Sequence, residues 1–176
     1  EARAIQEICQ LMGGLPLGIE LAAARAQSLT CSATAAEIRR GANDLATRQR
    51  DVPERQRSLR AVVESSIAAL STEERRVFVA LAVFPRAFTS EAAATIAGAT
   101  PTRLAALVDK SLLRQVGGRY DLHEVLRRFA MEALEQDPAL HAELSGRHCR
   151  YFAALMPTLA GPDATFDAGS AWMAAM

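Results

Sequence analysis

What this 176-residue sequence lacks narrows its class before any motif is considered. Of its 20 basic residues only Lys110 is a lysine, and 20 acidic residues bring the formal charge to zero. A chain without an excess of either sign has no general attraction for nucleic acid or an anionic surface. No apolar run approaches the roughly 20 residues that a membrane-spanning helix needs, which excludes that class. The cysteines Cys9, Cys31 and Cys149 are odd in number and widely spaced, so neither a disulfide framework nor a paired zinc motif is present. They are expected to be reduced and mostly buried in a cytoplasmic protein. No G-x-x-x-x-G-K-[ST] phosphate loop, H-E-x-x-H or G-x-S-x-G occurs, and a stand-alone enzyme is not expected. Nor is there an initiator methionine, a basic leader or a signal-like apolar core. The sequence is expected to be a piece of something longer.

What is present is half hydrophobic and 23% charged, the balance of a folded chain. Ile5, Ile8, Cys9 and Met12 recur at helical spacing, and Gly13-Gly14 stops that helix. Leu15-Pro16-Leu17 opens a second one to about Ser28, because proline is tolerated in a first turn where its missing N–H would be unpaired anyway. Its apolar side is Leu17, Leu21 and Ala24. A weakly amphipathic helix with Ile38 and Leu45 covers about Thr34 to Ala46. From Thr47 to Arg57 the chain is polar and arginine-rich, a linker interrupted by Pro53.

Beyond the linker, Leu59 to Leu70 forms a helix. Ser71-Thr72-Glu73-Glu74 has the pattern of a capping box opening another, with Val77, Phe78, Leu81 and Ala82, that ends at Phe84-Pro85. Thr89 or Ser90 caps a short helix closed by Gly98, and Thr100-Pro101 opens one bearing Leu104, Leu107 and Val108. Two short strands, Leu112 to Val116 and Arg119 to Leu122, flank Gly117-Gly118, a turn in which both positions accept positive φ. Val125, Leu126, Phe129, Ala130, Ala133 and Leu134 restore the helical period. Helix, helix, helix, hairpin, helix is the order of a winged helix. The fold class is mainly α: a helical subdomain, a winged helix with one small β-hairpin wing, and a C-terminal helix or helices. The expected domains are residues 1–50, 51–137 and 138–176. The last carries Leu140, Leu144, Tyr151, Phe152 and Leu155, a breaker at Gly161-Pro162 and a helix start near Trp172.

A winged helix raises DNA binding, and the charges oppose it. From Ser58 to Asp137 ten basic residues meet ten acidic ones, so the module lacks the surplus that neutralises phosphates. Its recognition helix, Thr102 to Lys110, offers one arginine, one lysine and no Asn or Gln for base edges. His141, His148 and Cys149 share a helix at a spacing that does not converge on a metal. Two features hold more chemistry. Gly13-Gly14-Leu15-Pro16-Leu17 sets a rigid proline between leucines at a helix start, where an apolar ring could rest. Leu122-His123-Glu124 puts an imidazole where strand becomes helix, next to N–H groups that could face an anion.

Taken in order, these segments resemble the STAND signalling ATPases, which include plant resistance proteins, apoptosome scaffolds and bacterial transcriptional regulators. Gly14-Leu15-Pro16-Leu17 is similar to their GLPL motif, and Ile19 to Arg25 continues as in the bacterial members. Pro53 to Ala61 resembles the linker before their winged helix. Val77 to Pro85 resembles its F-x-x-L-x-x-F segment, and Leu107 to Leu113 its L-V-D-K-S-L stretch. Leu122-His123-Glu124 occupies the place of the MHD motif, with Leu122 and Glu124 where that motif has Met and Asp. The resemblance implies a regulatory half in which Pro16, with Leu17 beside it, packs on adenine and His123 contacts the β-phosphate of ADP. It also implies ADP or ATP held mainly by an upstream phosphate-loop domain and not tightly by this segment alone. The further partners it implies are C-terminal tetratricopeptide-like sensor repeats and other copies of the chain on activation. Composition and charge set the expectation of no membrane and no direct DNA contact by this segment, and the alternatives are a DNA-binding winged helix or an interaction scaffold without nucleotide coupling.

Overall fold

A computed structural model describes residues 1–48 and 53–159. Nine α-helices and one two-stranded antiparallel hairpin occur among them, the mainly helical class expected. The described chain divides into two compact units: Glu1–Ser71 with Asp109–Leu112, and Thr72–Val108 with the residues from Leu113 on.

The first unit contains α1 (Ala2–Met12), α2 (Pro16–Ala26), α3 (Cys31–Arg48) and α4 (Glu54–Ala68). In α1 the buried positions are Ala4, Ile8 and Met12, four apart, whereas Ile5 is 50% exposed and Cys9 is exposed. The expected apolar stripe is therefore rotated: Ala4 faces inward in place of Ile5 and Cys9. Cys149 is exposed as well and Cys31 half-buried, so the cysteines are not the core residues expected. Helix α3 starts at Cys31, with Thr30 Oγ1 accepting the Ala33 N–H at 3.1 Å, and buries Thr34, Ala35, Ile38 and Ala42. Among its described residues the expected linker is mostly helix, because α3 continues to Arg48 and α4 begins at Glu54 behind Pro53. Residues 49–52 lie outside the described chain.

Small residues let these helices come close. A Cβ added at Gly41 of α3 would lie 2.8 Å from Ala61 Cβ of α4, and one added at Gly18 of α2 would lie 2.5 Å from Met12 Sδ of α1. At Gly41 a methyl group has no room, and at Gly18 it would have to displace the Met12 side chain.

In the second unit α5 (Thr72–Ala80) runs into a single 3-10 turn, Leu81–Val83. Phe78, Leu81 and Phe84 are all buried. Burial of an aromatic or leucine side chain of this kind contributes about 1.5–3 kcal/mol. Next come α6 (Ser90–Ala97), α7 (Pro101–Asp109), β1 (Arg114–Val116), β2 (Arg119–Asp121), α8 (Glu124–Leu134) and α9 (Pro138–Leu159). Thr89 caps α6 by accepting the Ala92 N–H at 3.1 Å, and Gly98 closes it at φ 64°. The hairpin pairs Arg114 with Asp121 and Val116 with Arg119 across Gly117 and Gly118, whose φ values of 57° and 76° are those of a two-residue primed turn.

One further pairing completes the winged helix. Phe88, just before α6, exchanges two 2.8 Å backbone hydrogen bonds with Tyr120 of β2. It serves as a one-residue third strand on the side of β2 away from β1. Phe84 stacks on Phe88 with ring centroids 4.3 Å apart, and His148 of α9 meets Phe84 edge-on at 5.7 Å and Phe152 at 4.6 Å. Helix α9 thus packs through Leu144 and this aromatic series on α6 and the 3-10 turn. The expected breaker at Gly161-Pro162 and helix start near Trp172 lie outside the described residues.

Candidate functional site

The glycine pair between α1 and α2 forms a Schellman cap. Gly14 N–H donates to Cys9 O at 3.4 Å and Gly13 N–H to Gln10 O at 3.0 Å, with φ of 74° and 57° respectively. The chain then turns through extended Leu15 (φ −69°, ψ 116°) into Pro16 at the first position of α2. Gly18 pressed on Met12 seats the start of α2 against the end of α1. The outcome is an exposed Pro16 ring, with Leu15 and Leu17 half-buried beside it. Its backbone comes from sequence-encoded caps alone.

His123 stands at the strand-to-helix corner of the second unit. It is the N-cap of α8, and its Nδ1 accepts the Val125 N–H at 3.2 Å. A neutral imidazole accepting at Nδ1 carries its hydrogen on Nε2, so the ring keeps one donor for another partner. The corner is bracketed by charge. Arg127 Nη2 donates to Asp121 Oδ1 at 2.9 Å, and Arg114 Nη2 donates to Asp121 Oδ2 at 3.0 Å. The Arg127 N–H closes the first turn of α8 on His123 O at 2.9 Å. Of the residues singled out from sequence, Pro16 and Leu17 are neighbours in the first unit, and His123 belongs to the second.

Asp121 and its two arginines were not singled out from sequence. Arg114 and Asp121 could have been, since a two-residue turn at 117–118 fixes their cross-strand pairing. Arg127 reaches back six residues around a corner, a separation that no periodic rule covers.

Helix α7, the expected recognition helix, buries Leu104 and Leu107. Arg103 Nη2 lies 3.1 Å from Glu73 Oε2 of α5, so the helix's own arginine is held by a carboxylate. The wing is short, three residues to a strand, with Val116 beside its glycine turn 73% exposed.

Sequence relatives bear on this winged helix. The chain is 36% identical over 176 aligned residues to a Mycobacterium tuberculosis protein named as a "Putative HTH-type transcriptional regulator", and equally to a Mycobacterium bovis protein of the same description. Each alignment takes in 92% of this chain and 19% of the relative. It is also 32% identical over 157 residues to an uncharacterized protein of Mycobacterium tuberculosis, with 80% of this chain and 39% of that protein aligned. The chain thus spans about a fifth of the length of the first curated relatives it matches. No protein-family model matches it, and no solved structure does.

The first unit also has an open groove of about 650 Å³ among α2, α3 and α4, lined by Arg25, Leu29, Glu37, Arg40, Glu64 and Ser65 among others. Its centre is Glu37. Arg25 Nη2 donates to both Glu37 oxygens at 3.3 and 3.1 Å, and Ser65 Oγ donates to Oε1 at 2.6 Å. Burial raises the Glu37 pKa, but the Ser65 and Arg25 hydrogen bonds and the Arg25 and Arg40 charges outweigh it and hold the pKa below the ordinary value. Both oxygens are engaged within the unit, which makes this carboxylate a tie between three helices. Among the described residues no three His, Cys, Asp or Glu side chains are arranged to hold a metal, and no helix is long and apolar enough to cross a membrane.

Proposed function

We propose that this chain is the switch segment of a nucleotide-gated transcriptional regulator of the STAND type. The observation that carries the proposal is His123, whose Nδ1 is occupied as a helix cap and whose Nε2–H remains to donate. That donor stands beside the N-terminus of an 11-residue helix, where the helix dipole favours negative charge. A diphosphate oxygen suits both. The exposed Pro16 ring, fixed by the Schellman turn and flanked by Leu17, suits an apolar purine face. ADP or ATP would supply the adenine and the charged phosphates; Pro16 and Leu17 would bear the first and His123 the second. The main phosphate-binding groups would come from an upstream domain, so the segment alone neither holds nucleotide tightly nor catalyses its hydrolysis. The similarity to HTH-type regulators supports a role in transcription for the parent protein. In this reading the parent acts in the cytoplasm, carries tetratricopeptide-like sensor repeats after α9 and assembles into homo-oligomers on activation.

The test uses the full-length protein loaded with labelled ADP and chased with unlabelled nucleotide. His123→Ala should release ADP faster by roughly 5- to 150-fold, the loss of one hydrogen bond worth about 1–3 kcal/mol. Release at the wild-type rate would refute the nucleotide role.

The names of the relatives favour a second reading, in which this winged helix reads DNA. The Arg103–Glu73 pair and the short wing, three-residue strands joined by a two-residue turn, argue against it. Titration of labelled duplex at two salt concentrations separates the two: tight binding by this segment with a steep salt slope would favour DNA.

A further inference from the structure

A histidine that caps a helix with one nitrogen and holds a ligand with the other needs its ring fixed. We propose that Asp121 is a positioning residue for His123, acting through Arg127 and Arg114; this rests on the nucleotide role proposed above. The hydrogen bonds form a closed frame. Arg127 stands in the first turn of α8, whose backbone closes on His123 O at 2.9 Å, and its side chain reaches back to Asp121, Nη2 donating to Oδ1 at 2.9 Å. Arg114 takes the second oxygen, Oδ2, from the neighbouring strand at 3.0 Å, in the register that pairs residue 114 with 121. With each oxygen committed to a different arginine, the Asp121 carboxylate cannot rotate without breaking a charge-assisted bond. Inside the frame, the Val125 N–H fixes the imidazole at Nδ1.

The side chains of Asp121, Arg127 and Arg114 are 31%, 21% and 56% exposed, so the inner Arg127 pair is partly shielded from solvent and the outer Arg114 pair is largely screened. The frame holds a donor direction, the support that a binding group needs from its surroundings.

The experiment is a double-mutant cycle on ADP release from the full-length protein, with Asp121→Asn, His123→Ala and the pair. Asp121→Asn keeps the shape and removes the charge. It should speed release about fivefold, the lower end of ordinary coupling between groups. The double variant should release no faster than His123→Ala, because Asp121 acts only through that ring. Arg127→Gln, which breaks the same contact from the other side, should reproduce the Asp121→Asn rate. Amide exchange at Val125 should also quicken in Asp121→Asn, a local readout that needs no nucleotide. If His123→Ala speeds release while Asp121→Asn does not, the positioning role is wrong and the nucleotide role stands. Multiplying effects in the double variant would mean that Asp121 acts elsewhere, which also overturns the positioning role. If neither single variant alters release, or the protein retains no ADP, both proposals fall together.

Discussion

Replacing Gly41 with alanine sets two effects of known sign against each other. In a solvated helix the change would stabilise by about 1 kcal/mol, because glycine is the poorer helix former. Gly41, however, faces Ala61, and the new Cβ would lie 2.8 Å from Ala61 Cβ and 3.6 Å from Ala61 Cα. Alanine has no rotamer to change, so relief must come from the backbone. Restoring an ordinary carbon–carbon separation of about 3.5–4.0 Å moves α3 from α4 by roughly 1 Å, enough to forfeit a quarter to a half of the dispersion well at each contact that does not follow. Overpacking of this kind costs about 1–3 kcal/mol. The expected net effect of Gly41→Ala is therefore a loss of about 1 kcal/mol, read as a lower urea midpoint by far-UV circular dichroism. The exchanged pair, Gly41→Ala with Ala61→Gly, keeps one methyl group in the gap and one glycine in the two helices, and should return to within about 0.5 kcal/mol of the wild type. A Gly41→Ala chain more stable than the wild type would mean that propensity outweighs packing here, and the close crossing would lose its meaning.

Three further outcomes are expected. Glu37, with its folded pKa held down, stabilises the fold above its unfolded pKa, and that contribution is lost as pH falls through the folded value. Glu37→Gln should therefore flatten the acid limb of the stability curve, and an unchanged limb would rule out the tie between α2, α3 and α4. Burial lowers the pKa of His148, so the unfolded chain takes up the proton first. Stability should fall as pH drops through the ordinary histidine value towards the folded one, and His148→Phe should remove that slope from denaturation midpoints measured across the interval. At the corner, His123→Ala removes the α8 cap and should cost about 1 kcal/mol, whereas His123→Asp supplies a strong capping oxygen and should melt close to the wild type. His123→Asp should nonetheless weaken ADP retention as much as His123→Ala, because it sets a carboxylate where a donor stood; equal melting losses in both variants would disprove the capping role.

The local signals in the sequence were the legible ones. Gly13, Gly98 and Gly117-Gly118 end or turn the chain where their freedom at positive φ predicts, and Thr89 caps where its hydroxyl predicts. The periodicity of 125–134 translates directly into buried Leu126, Ala130 and Leu134. Where alanine carries the packing, the reading slipped. Alanine weighs little as an apolar residue, so in α1 the bulkier Ile5 and Cys9 looked like the inner face, although Ala4 allows the closer approach. The polar composition of 47–57 points to a linker because composition reports solvation rather than backbone, yet helix lies on both sides of 49–52. The Phe88–Tyr120 bridge went unseen since a one-residue strand has no period. Of the candidate residues, Pro16 and His123 stood out by chemistry, while the arginines around Asp121 emerge only once the chain has turned the corner.

The bridge at Phe88 also has a practical use. Tyr120 is clasped on both sides, by β1 and by the residue that precedes the Thr89 cap, so the glycine turn three positions away is a handle bolted to the body. A spin label or fluorophore attached at Val116, which points into solvent, should report the tumbling of the whole second unit rather than the private motion of a loop.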